Sequence, residues 1–161
     1  MTKPEPFKVY AIRYAHHGGR NANEMFIGGD PHDGPMALDY FVWVAISSTH
    51  TYLIDTGFSA EVAQRRQRTL LRTPVEGLAL LGVNASTVQN VILTHLHYDH
   101  VGNFDMFPSA TLHVQDKEMA YATGRYMREP PLRGAYEVED VIALVREVYG
   151  GRVEFHDGDT I

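Results

Sequence analysis

Thr94-His95-Leu96-His97-Tyr98-Asp99-His100 follows directly on the apolar run Val91-Ile92-Leu93 and gathers three of the chain's nine histidines and a carboxylate into seven residues. Imidazole and carboxylate are the ligands that divalent zinc, iron and manganese accept. An apolar run that stops at such a segment reads as a strand opening into a loop. Period-two alternation there points His95 and His97 to one side while Leu96 turns back into the core. Asp99 and His100 stand past the bend, where they can serve a second ion. The plainer alternative is a polar loop whose histidines only hydrogen-bond, but histidines gathered beside an acid at a strand end have little structural use.

Outward from this segment the pattern alternates strands and helices. Aromatic and β-branched residues over 7–14 and 40–47 read as strands, as does 51–55 after a short polar turn. Helices are expected over 60–71 and 74–81, where Pro74 suits a first turn and Gly82 a stop. The strand 90–94 carries the histidine segment, and a short helix is expected over 102–107. A strand over 111–115 leads to a helix capped by Asp116 and ended by Gly124, then to a loop holding Pro130 and Pro131. Val138, Val141, Ile142, Val145, Val148 and Tyr149 recur at helical spacing and are expected to form a core face; a last strand covers 152–156. There is no internal repeat, low-complexity tract or linker, so residues 1–161 read as part of one α/β unit.

Composition narrows the function classes. At 161 residues and 44% hydrophobic, the chain can bury a core. No run approaches the roughly 18 apolar residues of a membrane helix, and Met1-Thr2-Lys3-Pro4-Glu5-Pro6 lacks the apolar centre of a secretory signal. A cytoplasmic protein with no membrane partner is therefore the expectation. Zero cysteines exclude disulfides and thiolate ligands, so any metal must rely on histidine and carboxylate. The net charge of −6 argues against nucleic acid as a partner, and Arg65, Arg66, Arg68 and Arg72 read as the solvated face of a helix. His16-His17 reads as exposed loop, and Asp30, His32 and Asp33 as a turn-rich rim. Met25-Phe26-Ile27 is apolar without belonging to a strand, and Phe58 follows the turn at Asp55; these four either pack a long loop or line a ligand pocket. Tyr121, Tyr126 and Met127 admit the same two readings.

The H-x-H-x-D-H signature of His95, His97, Asp99 and His100 resembles that of the metallo-β-lactamase superfamily, and the string from His95 through Val101-Gly102-Asn103 is most similar to its N-acyl homoserine lactonase-like branch. Leu53-Ile54-Asp55-Thr56-Gly57 resembles the superfamily's first motif, in which a strand-end acid orients the metal ligands; Asp55 takes that place. The stretches Gly29-Asp30-Pro31-His32-Asp33-Gly34-Pro35-Met36 and Leu38-Asp39-Tyr40-Phe41-Val42-Trp43 also resemble these lactonases. The fold this implies is an αββα sandwich of which the chain supplies mainly the N-terminal αβ half. The family's Gly-His-[Ser/Thr]-x-Gly loop, bridging aspartate and last histidine do not occur, because past His100 only His113 and His156 remain and neither has that context. The remaining ligands are expected beyond Ile161, and the open sheet face is expected to be covered by that segment or by a second copy in a homodimer.

By the same resemblance, His95 and His97 bind one metal ion, Asp99 and His100 bind a second, and Asp99 also faces the nucleophile. Zinc is the default ion, with iron, manganese and cobalt compatible with the same ligands. A hydroxide held between two metals attacks a lactone carbonyl, and the apolar residues Met25, Phe26, Ile27 and Phe58 line an acyl pocket. Other hydrolases on the same fold, a glyoxalase-II-like thioesterase or an ester or phosphodiester hydrolase, are the alternatives. A third reading is an inactive fragment.

Overall fold

β-branched and aromatic residues alternating along each strand give it two unlike faces, and the computed structural model, which describes residues 5–28 and 32–158, shows how they are used. Strands β1 (Lys8–His17), β2 (Leu38–Ile46), β3 (Thr51–Ile54), β4 (Thr69–Leu70), β5 (Asn90–Ile92), β6 (Thr111–Gln115) and β7 (Val153–His156) form one sheet in the order β4-β1-β2-β3-β5-β6-β7. The β4-β1-β2-β3 side pairs antiparallel and the β3-β5-β6-β7 side parallel, as expected when a hairpin-rich opening gives way to helical crossovers. Tyr40, Val42 and Val44 of β2, with Leu53 of β3, Val91 of β5 and Leu112 of β6, are buried on the face that carries the helices. Phe41 and Trp43 point the other way, where Trp43 remains 46% exposed. One face is thus covered by helices and the other is open, which is the αβ half expected of the sandwich.

The helices are α1 (Ala60–Arg65), α2 (Pro74–Ala79), α3 (Tyr98–Val101), α4 (Asp116–Ala122), α5 (Pro130–Arg133) and α6 (Val138–Tyr149). Several boundaries depart from the sequence pattern. The helix expected over 60–71 stops at Arg65, because Gln67 turns left-handed with φ 56° and Thr69–Leu70 then pairs with β1 at Ala15 and His16. Arg65-Arg66-Gln67-Arg68 are good helix formers, so sheet pairing overrides local propensity here. The expected loop at Pro130-Pro131 holds the short helix α5, with proline in its first turn. Gln115 rather than Asp116 occupies the cap of α4. The helix placed at 102–107 begins earlier, at Tyr98, and Gly102 is its C-cap; a 3-10 turn, Phe104–Met106, follows. His16 and His17 are the end of β1 rather than loop, His16 Nδ1 lying 2.7 Å from Asp39 Oδ1. Met1 to Pro4 and Asp30 lie outside the described residues.

The amphipathic face of α6 is only partly core. Leu144 is fully buried, whereas Val138 and Tyr149 at its two ends are exposed. In its first turn Asp140 Oδ2 is buried with no hydrogen-bond partner among the described residues. Burial, with Glu137 nearby, pushes its carboxyl up to about 6. A folded-state value above the unfolded one means that the proton stabilises the fold: this contribution is complete below about 4 and is lost as pH rises through about 6. Asp140→Asn is therefore expected to stabilise the protein at pH 7 to 8 by about 1 to 2 kcal/mol, after allowance for solvent screening, and to leave stability unchanged near pH 4. Urea unfolding at both pH values checks this; equal midpoints for the two proteins at pH 7.5 would count against an unpaired carboxylate.

Candidate metal centre

Two backbone crossings bring the motif residues together. Asp55 N donates to Ile92 O across the parallel β3/β5 pair at 2.8 Å, so the turn after β3 lies beside the end of β5. Leu93 and Leu96 are buried, and His95 and His97 alternate away from them. Asp55 then reaches in two directions. Thr94 donates its N–H (2.8 Å) and its hydroxyl (2.9 Å) to Asp55 Oδ1, and His100 Nδ1 donates to Oδ2 at 2.7 Å. Asp55 holds φ 64°, a left-handed conformation that aspartate tolerates better than most residues.

Five further hydrogen bonds fix α3 and the turn beside it. Thr56 donates its N–H (2.6 Å) and its hydroxyl (3.0 Å) to His100 O, while Asn103 Nδ2 donates to Thr56 O (2.9 Å). Tyr14 Oη donates to Asp99 O at 2.8 Å. Gly102 N donates to Gly57 O at 2.7 Å, and a Cβ on Gly102 would stand 3.0 Å from both Gly57 O and Phe58 Cα. Gly57, with φ +67° and the Tyr14 ring 2.9 Å from where its Cβ would be, has no room either. Glycine at these two positions lets the Asp55 turn and the histidine segment cross in backbone contact.

The geometry gathers the four expected ligands. The His95 ring lies 4.4 Å from that of His97 and 3.8 Å from that of His100, between centroids. Asp99 Oδ2 is 3.4 Å from His100 Nε2. Burial, and secondarily the neighbouring imidazoles, pull His95 down, and burial pulls His97 down, so both are neutral with lone pairs available at neutral pH. Burial also works against charge on His100, but its bonds to Asp55 and Asp99 outweigh that and hold it at about 9. Burial raises Asp99, and the His100 bond and charge reverse this and hold its carboxyl below its usual range. Because Nδ1 of His100 faces Asp55, Nε2 is the ring nitrogen left for a metal ion. Imidazolium between two carboxylates is a place where a cation is already favoured, so neutral His95 and His97 with Asp99 and His100 fit a divalent metal.

The structure also brings Tyr136 and Glu118, which sequence spacing did not reveal, to the site, and with them Tyr121, Tyr126 and Met127, which it had left between packing and pocket. Tyr136 packs its ring perpendicular to His97, 4.9 Å between centroids, and Tyr121 lies next to it at 6.1 Å. Tyr121 stacks in turn on Tyr126, so an aromatic wall runs away from His97. Tyr136 also lines a cavity of about 590 Å³ whose other walls are apolar at Ala122, Met127, Val138 and Val141 and charged at Arg133 and Glu137. Glu118 of α4 accepts from Leu96 N at 3.2 Å. Of the arginines read as a solvated helix face, Arg65 is exposed on α1, but two others brace this corner: Arg66 lies 3.9 Å above the Tyr98 ring and binds Glu137 at 2.6 Å, and Arg68 donates to Tyr98 Oη. No sequence signal short of the fold joins residues 66, 98 and 137.

The four apolar residues separate. Phe58 is 1% exposed within the Tyr14, Tyr40 and Tyr98 cluster, because the turn after β3 folds it under α3. Phe26 and Ile27 lie in the 18–37 connection with 62% and 109% exposure, and Met25 caps a 3-10 turn, Ala22–Glu24.

Known proteins share both pattern and fold. The sequence pattern of the Metallo-beta-lactamase superfamily matches residues 35–160. A 42-residue stretch, 26% of this chain, is 45% identical to the N-acyl homoserine lactonase AttM of Azorhizobium caulinodans, of which it covers 16%. Among solved structures, a quorum-quenching N-acyl homoserine lactone lactonase superposes with TM-score 0.70 at 18% identity over 100% of this chain and 61% of its own. A dizinc quorum-quenching lactonase in complex with the product N-hexanoyl-L-homoserine superposes with TM-score 0.60 at 16% identity, over 98% of this chain and 63% of its own. The chain thus spans less than two thirds of these relatives.

Proposed function

This chain belongs to the metallo-beta-lactamase superfamily, and from that premise we propose that it is part of a dinuclear metal-dependent hydrolase that opens an acyl lactone ring. The observation that carries the reading is the convergence of His95, His97, Asp99 and His100 with Asp55 holding His100 by its far nitrogen, 2.7 Å away. In this reading His95 and His97 hold one ion, and Asp99 and His100 the other. When bound, such ions supply a hydroxide nucleophile at neutral pH and polarise the carbonyl under attack. Asp99, ionised and anchored through its own backbone by Tyr14, accepts a proton from the nucleophile and returns it to the departing ring oxygen. Asp55 and Thr94 keep His100 and the loop from rotating. The names of the similar proteins, lactonases that include a dizinc enzyme, support the choice of zinc and of a lactone.

Two ligands to each ion fall short of the three that a catalytic zinc usually has. The reading therefore includes further ligands from beyond residue 161 or from a second copy. Chelation of the complete protein should abolish hydrolysis of an acyl homoserine lactone, and a panel adding a thioester and a phosphodiester separates this substrate from the other chemistries of the fold. Preference for the phosphodiester would overturn the lactone assignment while leaving the metal centre in place.

Substrate length follows from the apolar surfaces. If the exposed Phe26 and Ile27, with Met25, close on an acyl chain, or if the wall of Tyr136 and Tyr121 does so, long-chain lactones should be the better substrates. Each methylene buried contributes up to about 0.8 kcal/mol, about fourfold in kcat/KM. Phe58 acts only from behind, as core. A kcat/KM flat from short to long chains would show that the ring alone is recognised.

A further inference from the structure

We propose that His113, His156 and Glu154 form a second site, separate from the H-x-H-x-D-H loop, for a divalent transition-metal ion of the zinc, nickel or cobalt class. Parallel pairing of β6 with β7 sets His113 opposite Glu154 and Gln115 opposite His156, so the three side chains share the open face of the sheet. His113 Nδ1 lies 3.0 Å from His156 Nε2 and 3.8 Å from Glu154 Oε2. All three ligand atoms lie within 4.8 Å of one another.

Asn90 decides which nitrogen of His113 is available. Its side-chain oxygen stands 3.0 Å from His113 Nε2 and can only accept, so Nε2 carries the proton and the Nδ1 lone pair faces His156. A ligand histidine held by an acceptor on its far nitrogen is the arrangement that metal centres use to fix tautomer and orientation. Two nitrogens at about 2.0 to 2.1 Å from a tetrahedral zinc stand about 3.3 Å apart. The observed separation of 3.0 Å is a few tenths short of that, a change that rotation of the two rings supplies. Two imidazoles and one carboxylate suit borderline ions and not calcium or magnesium, which take oxygen ligands. His113 and His156 line a groove of about 650 Å³ with Tyr52, Ile92 and Thr94, which leaves room for an ion beside the two rings. Burial holds His113 below the ordinary histidine range and so keeps it in the ligating, neutral form. A bound ion would pin the edge strand β7 to β6.

Cobalt titration of the complete protein carrying His97→Ala and His100→Ala tests the assignment, since those changes disable the motif loop. One equivalent should still bind, with the visible absorption of a low-coordinate site. Adding His113→Asn or His156→Asn should weaken that binding more than about 100-fold, and Asn90→Ala about 10- to 100-fold. No bound equivalent in the double variant, or an equivalent that survives loss of His113 and His156 together, overturns the proposal. Should the double variant fail to fold, zinc added to the unaltered protein must shift the imidazole nitrogen resonances of His113 and His156; resonances unmoved at saturating zinc overturn it equally.

Discussion

Replacing His97 by alanine is expected to lower lactone hydrolysis by more than about 100-fold and to strip metal from the protein. Partners that merely hold a ligand in place cost about 10- to 100-fold when lost, so loss of a ligand itself lies at or beyond that range. The ring of His97 touches Tyr136 and His95 and makes no hydrogen bond among the described residues, so the defect is expected to belong to metal binding. His100→Ala is expected to match it in activity. It should also destabilise the protein by about 1 to 3 kcal/mol, because it leaves Asp55, a buried carboxylate, without its charged partner. Metal content, kcat/KM and urea unfolding of both variants separate the two effects. A His97→Ala protein with full metal and full rate would remove this residue from the centre.

Asp55→Ala should cost about 10- to 100-fold in metal affinity and in rate, although both carboxylate oxygens of Asp55 are engaged by Thr94 and His100. The carboxylate holds Thr94 at the strand end and His100 on α3, so its loss frees the two halves of the ligand set at once. Alanine is also poor at φ 64°, which adds about 1 to 2 kcal/mol of strain. Asp55→Asn, which tolerates that backbone and keeps an acceptor, isolates the charge: it should recover stability yet remain short of full metal affinity. Unchanged metal affinity and rate in the alanine protein would leave Asp55 as a turn former.

The contrast between these residues explains what could be read in advance. His95, His97, Asp99 and His100 lie within six residues, and ligand chemistry together with period-two alternation suffices to group them. Asp55 came from the resemblance of its turn to a known motif, and its bonds to Thr94 and His100 span 39 and 45 residues. Tyr136, Glu118 and Arg66 reach the site only through packing of α1, α4 and the segment before α6, which no local pattern encodes. His113 and His156 stood as isolated residues in the sequence and meet because β6 and β7 pair in parallel. The early end of α1 is the same lesson for the fold, since Thr69 and Leu70 are held by β1 against the propensity of the arginines before them.

The central claim is that metal gathered by the 95–100 segment performs the hydrolysis. It is tested most directly by measuring hydrolysis of a long-chain acyl homoserine lactone by the complete protein before chelation, after exhaustive chelation, and after titration with zinc. The account predicts loss of activity on chelation and recovery that rises with zinc to about two equivalents at the 95–100 segment in the His113→Asn background, which removes the second cluster from the count. Undiminished hydrolysis by the metal-stripped protein would contradict it.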